Sequence, residues 1–471
     1  MASVRSQLGR PASRGNLLFA AWLAVAVALG GVLALALPRV PGIVVTAMPF
    51  VFVVAFVLLP LVAYRPAWVL ICAFALLPVV RVEPAPYDIL LIALMALGSV
   101  RRPFSKLHVP PSAQIALWGL ALMTMISMIN SKTPAGSFRF AGVSIFLILS
   151  AVWLSGMFES ERLTRLMVKA YILAAAGSAV IAVLALKAHL PGLGFMIYQN
   201  SRAQGLFKDP NVFGPFLVPA AAILLEEIAR PRLLGYSVRR LFLLLAACSS
   251  GVVFSFSRAA WGNLVVTFLG IVFVYLWRHQ GIGPMLRAIA VLVVSGALAF
   301  GLLAATDSLG FLGQRAKAEQ GYDKARFGAQ DEALHRMTEK TFGHGPGSAE
   351  VELAYSTHST YVRVIFEQGL IGAGLLIVLI VGTLAVGASA ALRDADLHGI
   401  GSAALVSAWA GLSLNGIFVD TLHWRHLWVL APLIWCCALL RPREPGARLA
   451  GSRWGFNDET PQSGKTPTTV G

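Results

Sequence analysis

Between about residue 16 and residue 440 the chain is a succession of apolar runs of Ala, Leu, Val, Ile and Phe, separated at short intervals by Arg, Pro or Gly. A helix needs about 20 apolar residues to cross the hydrocarbon of a bilayer, and most of these runs approach that length. One segment breaks the series. From Thr306 to Tyr361 the chain reads TDSLGFLGQRAKAEQGYDKARFGAQDEALHRMTEKTFGHGPGSAEVELAYSTHSTY, largely polar. Its backbone and charges would go unsatisfied in hydrocarbon, so it is expected to form a domain on one membrane face.

Composition narrows the class further. The 471 residues are 57% hydrophobic and only 13% charged, against roughly 25% charged in soluble proteins. Segments of alternating polarity that would mark a β-barrel are absent. The expected fold is an all-α polytopic membrane protein with 12–14 transmembrane helices and one large extracytoplasmic loop containing short helices. Candidate spans lie near 16–36, 42–64, 67–80, 86–100, 113–129, 141–157, 166–187, 212–227, 238–256, 259–277, 286–305, 362–388, 398–416 and 425–440. The pair 67–80 and 86–100 is short, and a re-entrant reading of it leaves twelve.

Orientation follows from Lys and Arg, which concentrate in cytoplasmic connections. An inside N-terminus assigns 22 of the 38 basic residues to the cytoplasm, among them clusters at Arg101/Arg102/Lys106, Arg162/Arg165/Lys169 and Arg230/Arg232/Arg239/Arg240. Both termini are then cytoplasmic. The loop 306–358 faces outward with the connections 188–211, near 257 and 417–424. The resulting domains are a bundle over 1–305, the loop 306–358, C-terminal helices over 359–440, and a tail 441–471 whose Pro, Gly, Ser, Thr and charge read as disordered. The apolar run after Asn16 continues to Pro38 without a small-residue cleavage site, which reads as a retained span. The net charge of +16 follows from the same loop bias and needs no nucleic acid. The four cysteines lie in apolar stretches, which excludes a disulfide framework or a CxxC metal site.

Three outward features could carry chemistry. SRAQGLFKDPN (201–211) holds Arg202 and Lys208 and ends in a helix-start signal at Asp209-Pro210-Asn211; the plainer reading is an interfacial loop whose arginine snorkels. FSFSRAAW (254–261) puts Arg258 between two apolar runs, where an ionisable group is costly and is by default a functional candidate. Its bland alternative is a partner for an inward carboxylate. GHGPGSAEVELAYSTHSTYVRVIFEQG (343–369) places His358 at the return to the membrane, with Tyr361, Arg363 and Glu367 following at about one-turn spacing. Histidine suits general-base work near neutrality, whereas His335, His344 and His423 read as hydrogen-bonded interfacial side chains. Of the two histidines in the last motif, His358 is preferred over His344, which is expected on a flexible turn. There is no P-loop, GxSxG elbow, HExxH or acidic metal cluster. Guanidinium pairs bind diphosphate bidentately, so two arginines and a histidine fit transfer from a phosphate-activated lipid to an alcohol.

At these motifs the chain resembles the O-antigen ligase and O-antigen polymerase superfamily. The family pattern has Arg-Gly-Phe-x-(Asp/Asn)-Pro-Asn, S-x-S-R, a long loop ending G-x-G-x-G, then a His before a span opening with Glu-x-Gly. Arg202 to Asn211, Ser255 to Arg258, Gly343 to Gly347, His358 and Glu367 to Gly369 are similar to it in order and spacing. The resemblance covers roughly 200–440. It implies a GT-C-like, metal-independent and cofactor-free glycosyltransferase of the cytoplasmic membrane, taking an undecaprenyl-diphosphate-linked glycan as donor and a glycan or lipid acceptor. Arg202 and Arg258 would bind the diphosphate and His358 activate the acceptor hydroxyl, with Lys208, Arg326, Tyr361, Arg363 and Glu367 in support. The family often has Asn where this chain has Ser359, and Trp in the loop helix where it has Phe327. The alternative is a lipid or solute transporter, which is expected to carry ionisable groups at mid-depth rather than at span ends.

Overall fold

The computed structural model describes residues 62, 64–101, 107–278, 282–317 and 323–440. The expected span 16–36, all but the end of 42–64, and the tail from 441 lie outside the described residues. Before the polar segment the helices are α1 (Pro66–Ala75), α2 (Pro86–Arg101), α3 (Pro111–Ser127), α4 (Pro134–Met157), α5 (Glu161–Ala188), α6 (Pro210–Ala229), α7 (Val238–Phe254), α8 (Arg258–Trp277) and α9 (Ile282–Ala305). Within it lie α10 (Leu309–Lys317), α11 (Asp323–His335) and the single turn α12 (Ala349–Glu352). The chain closes with α13 (Thr360–Leu392), α14 (Ser402–Phe418) and α15 (Arg425–Leu439).

A helix meets every span expected from residue 67 onward. Among the described residues six are long and apolar enough to cross a membrane: α3 with its 3-10 extension, α4, α5, α6, α8 and α13. Strand is confined there to two small hairpins, Ile197–Tyr198 with Arg202–Ala203 and Asp396–Leu397 with Ile400–Gly401. The molecule is thus a mostly helical, multi-pass membrane protein. The doubtful pair resolves unequally. At ten residues α1 is about 15 Å long, half the hydrocarbon thickness. α2 runs for 16 residues.

Residues 71–88 and 104–448 form one compact unit, which carries all the motifs; the other unit holds 1–70, 89–103 and 449–471. In the larger unit α6 is central, with 94% of its most apolar stretch buried. α5, α7, α8 and α14 pack around it. Peripheral helices keep one apolar stripe outward, as Ile115, Trp118, Leu122, Met125 and Ile129 do along α3. Lipid is the only solvent in which such a stripe is stable. α8 and α14 approach closely, since a Cβ on Gly270 would lie 2.7 Å from Ser407 Oγ. Small residues at such seams let helix backbones meet where no hydrophobic effect drives them together.

Helix starts in this chain are written locally. Pro opens α3, α4 and α6 at positions where its missing N–H costs nothing. At the opposite end of α8, Arg278 donates to Asp394 at 2.8 Å, and Asp394 also accepts from Arg230 and Arg232. That cluster ties the ends of α6, α8 and α13 together.

Candidate active site

Each of the three motifs is the N-terminus of a helix, and each start is capped by a side chain. Asp209 accepts from Asn211 N at 2.7 Å and opens α6. Ser257 accepts from Ala260 N at 3.4 Å and opens α8. Ser359 accepts from Val362 N at 3.5 Å and opens α13. The departure from the family's Asn at this last position is therefore conservative, because Asn and Ser both cap helices. Helix N-termini carry partial positive charge and unspent N–H groups, which favour anions.

Arg202 joins the first two starts. It stands on the hairpin Ile197–Tyr198/Arg202–Ala203, with its Nε donating to the Ser255 carbonyl and its Nη2 to Asn211 Oδ1, both at 2.9 Å. The side chain is buried, and its guanidinium lies 5.8 Å from the Tyr198 ring. Arg258, at the first position of α8, is exposed. Lys208 turns away to Glu83 at 2.9 Å, and Arg139 meets the same carboxylate at 2.6 Å. These two cations, Lys208 first, hold the Glu83 carboxyl below its ordinary value.

His358 is half-buried and holds a left-handed backbone with φ of 45°. Non-glycine residues in that region persist only where their surroundings impose it, and they concentrate at functional sites. Its imidazole lies 5.7 Å from the Tyr355 ring. Burial, and then the charge of Arg326, lower its pKa below the usual 6.5; Asp209, Glu350 and Asp420 pull the other way without prevailing. The ring is neutral at pH 7 and able to accept a proton.

Arg363 organises the rest. Its Nε donates to Glu367 Oε1 at 3.1 Å, and its Nη1 reaches Asp420 at 2.5 Å and Glu350 at 3.2 Å. Its guanidinium also sits 5.0 Å from the Phe140 ring. One buried cation thus joins the polar segment, α13 and the connection before α15. Burial alone would raise the Asp420 carboxyl, but Arg363 overrides it and leaves it below its ordinary value. Tyr361 OH donates to the Ser413 carbonyl at 2.8 Å, fastening α13 to α14. Arg326 donates to the Phe418 carbonyl, and Gln330 Nε2 to Thr357 O at 2.6 Å, so α11 lies along the His358 segment.

The glycine turn docks on the kink of α13. Gly369 has φ of 71° and ψ of −174° inside the helix. The carbonyls this kink leaves without helical partners are taken by the turn, His344 N bonding Phe366 O at 2.9 Å and Gly345 N bonding Glu367 O at 3.0 Å. Gly343 has φ of 77°, and a Cβ there would stand 2.5 Å from Gln368 N. Only glycine permits that approach.

The expectation of a flexible turn at His344 is corrected by this packing. His344 is buried, stacked 4.2 Å from Phe366, with Nδ1 on Glu352 and Nε2 on the Arg336 carbonyl, both at 3.3 Å. Both of its ring nitrogens are engaged. His335 bonds its own helix through Asp331 O, and His423 meets Ser144 Oγ at 3.0 Å with burial lowering its pKa to about 4.

Glu350, Tyr355 and Asp420, which act on or pack against His358, were not singled out from sequence. Asp420 carried the same signal as Arg258, an ionisable residue between two apolar runs. No curated protein matches the chain. A family model described as O-antigen ligase matches residues 242–377, from within α7 to the middle of α13. That stretch holds Arg258, the glycine turn, His358 and Arg363, and the match supports the O-antigen ligase superfamily for the part of the chain that carries them.

Proposed function

We propose that the chain transfers a glycan from an undecaprenyl-diphosphate-linked donor to an acceptor hydroxyl at the outer face of the cytoplasmic membrane, as a ligase or a polymerase. The matched family supports a membrane glycosyltransferase of the glycan ligase or polymerase kind. What supports the finer reading is a half-buried His358 with its pKa lowered, directly before the capped start of α13, together with Arg258 at the capped start of α8 and Arg202 bridging that start to α6.

In the proposed step His358 takes the proton of the acceptor hydroxyl as its oxygen attacks the donor's anomeric carbon. The bond from that carbon to the diphosphate oxygen breaks, and lipid diphosphate leaves with the electron pair. Arg258 offers a planar fork to the developing charge. Arg202 holds the first two helix starts in register for the same anion. The helix N-termini add fixed partial charge that needs no reorganisation. Arg363, Glu367, Tyr361, Lys208 and Arg326 support this frame, and no metal takes part.

The test is transfer by purified protein with a lipid-diphosphate glycan and an acceptor, without added metal. His358→Ala should lose about 10²- to 10⁴-fold in turnover while still binding the donor. Near-normal turnover would end the base assignment, and a requirement for divalent metal would undercut the reaction class. The side of the membrane is tested by labelling with an impermeant thiol reagent in a Cys72→Ser background. Ala354, exposed in the polar segment, should label as cysteine from outside and Ser463 should not. Labelling of Ser463→Cys alone would reverse the orientation. The glycan profile of a deletion strain separates the two activities: loss of attached glycan marks a ligase, and single-unit glycan marks a polymerase.

A further inference from the structure

We propose that Phe311, the first aromatic residue of the polar segment, is a positioning residue: its ring clamps Phe256 in a left-handed turn and so fixes Arg258. This rests on the transfer reading above, in which Arg258 meets the donor's diphosphate. Ser255, Phe256 and Ser257 connect the end of α7 to the start of α8. Phe256 holds φ of 48°. Just past a helix end that conformation usually belongs to glycine, because a left-handed backbone drives Cβ against the following carbonyl. Among the described residues the other non-glycine positions at positive φ are all His, Gln, Asn or Asp. Asn, Asp and His are the residues that tolerate the region, whereas a bulky apolar side chain there is an outlier.

A ring cluster holds the turn. Phe256 is 1% exposed, and Phe311 meets it edge to face, with centroids 4.6 Å apart and planes at 78°. Phe254 and Trp261 lie at 6.0 and 6.4 Å. Those two belong to the helices that the turn joins, so they travel with it. Phe311 instead arrives from α10, whose entry is pinned elsewhere. Lys187, in the last turn of α5, donates to Ser308 Oγ at 2.5 Å and stands 5.2 Å from the Phe254 ring.

The turn separates the groups that the transfer reading uses. On its near side the Ser255 carbonyl accepts from Arg202 Nε; on its far side Ser257 caps α8 and Arg258 follows at once. Rotation about φ of Phe256 swings everything after it relative to everything before it. Relaxation to negative φ would therefore part Arg258 from Arg202. The polar segment thus acts on this pair through one ring, and the site is competent only with α10 docked. Affinity for a ligand falls in proportion to the competent fraction.

The experiment uses the full chain in lipid nanodiscs. Binding of a labelled lipid-diphosphate glycan is measured directly, and the half-saturating amount of acceptor, an envelope extract of the deletion strain, is read from turnover. Phe311→Ala should weaken donor binding about two- to twelvefold, the range for one aromatic pair, and leave the acceptor value unchanged. Phe311→Tyr should stay near normal. Position 256 decides between clamp and filler. Phe256→Ala keeps the left-handed cost and loses the clamp, so donor binding should weaken about five- to thirtyfold. Phe256→Gly removes that cost and should be milder although it deletes more. A ring that only filled space would give the opposite order. Phe311→Ala added to Phe256→Gly should change little further. If the variants at 256 fail to fold, hydrogen exchange over residues 254–258 in Phe311→Ala serves instead, with faster exchange expected. Unchanged exchange, Phe256→Gly worse than Phe256→Ala, or a matching shift for the acceptor would each overturn the clamp. Arg258→Ala in the same binding assay keeps the two ideas apart. If it loses the donor while the ring variants bind normally, only the clamp falls; if it binds normally, the diphosphate role of Arg258 falls and the clamp with it.

Discussion

Replacing Arg363 by Gln gives the sharpest test of how the site is held. The guanidinium is 4% exposed and spans Glu367, Glu350 and Asp420 at 3.1, 3.2 and 2.5 Å. Glu367 keeps only 3% of its side chain exposed and Asp420 18%, whereas Glu350 is 42% exposed. The exposed pair is worth little, about 0–1 kcal/mol. Removing one partner of a buried pair costs about 3–5 kcal/mol, because the charge left behind stays desolvated. Most of the loss should therefore come from Glu367 and Asp420. Against a total stability of about 5–15 kcal/mol, that loosens the segment without abolishing the fold. The assay is equilibrium unfolding in lipid nanodiscs together with hydrogen exchange over residues 343–353. Arg363→Gln should lose protection there, and Glu367→Gln in the same background should restore part of it, with a coupling of about 0.5–3 kcal/mol. An Arg363→Gln protein within about 1 kcal/mol of wild type, with unchanged exchange, would refute the keystone role.

Gly343→Ala should undock the turn, since its Cβ would stand 2.5 Å from Gln368 N at a φ of 77°; a cost above about 1 kcal/mol, read by thermal unfolding, is expected. Arg258→Ala should abolish transfer with the protein still inserted, and Arg258→Lys should rescue poorly, because an ammonium lacks the bidentate fork; full rescue by Lys would reduce Arg258 to a point charge. The pH dependence has a definite sign. In the proposed step His358 must be neutral to act, and burial with Arg326 lowers its pKa below 6.5, so activity should hold at neutrality and fall only on acidification below that value. Arg326→Gln removes the nearby cation and should move this acid limb upward, as a pH–rate profile would record.

Much of this protein was legible in its sequence because the relevant physics is local. Whether a run can cross a bilayer depends on its own length and polarity, so every span expected from residue 67 onward is met by a helix. The helix start at Asp209 was likewise legible in adjacent residues, since a cap reaches only two or three positions along the chain. Tertiary structure decided the partners. Arg202 bonds the carbonyl of Ser255, 53 positions away, and Arg363 gathers carboxylates from three separate segments. It also gave the histidines different surroundings: His344 spends both nitrogens in a buried stack, while His358 sits in a left-handed bend beside Tyr355. Spacing alone carries no such information, because a polar group's role is set by which distant groups burial brings within hydrogen-bond reach.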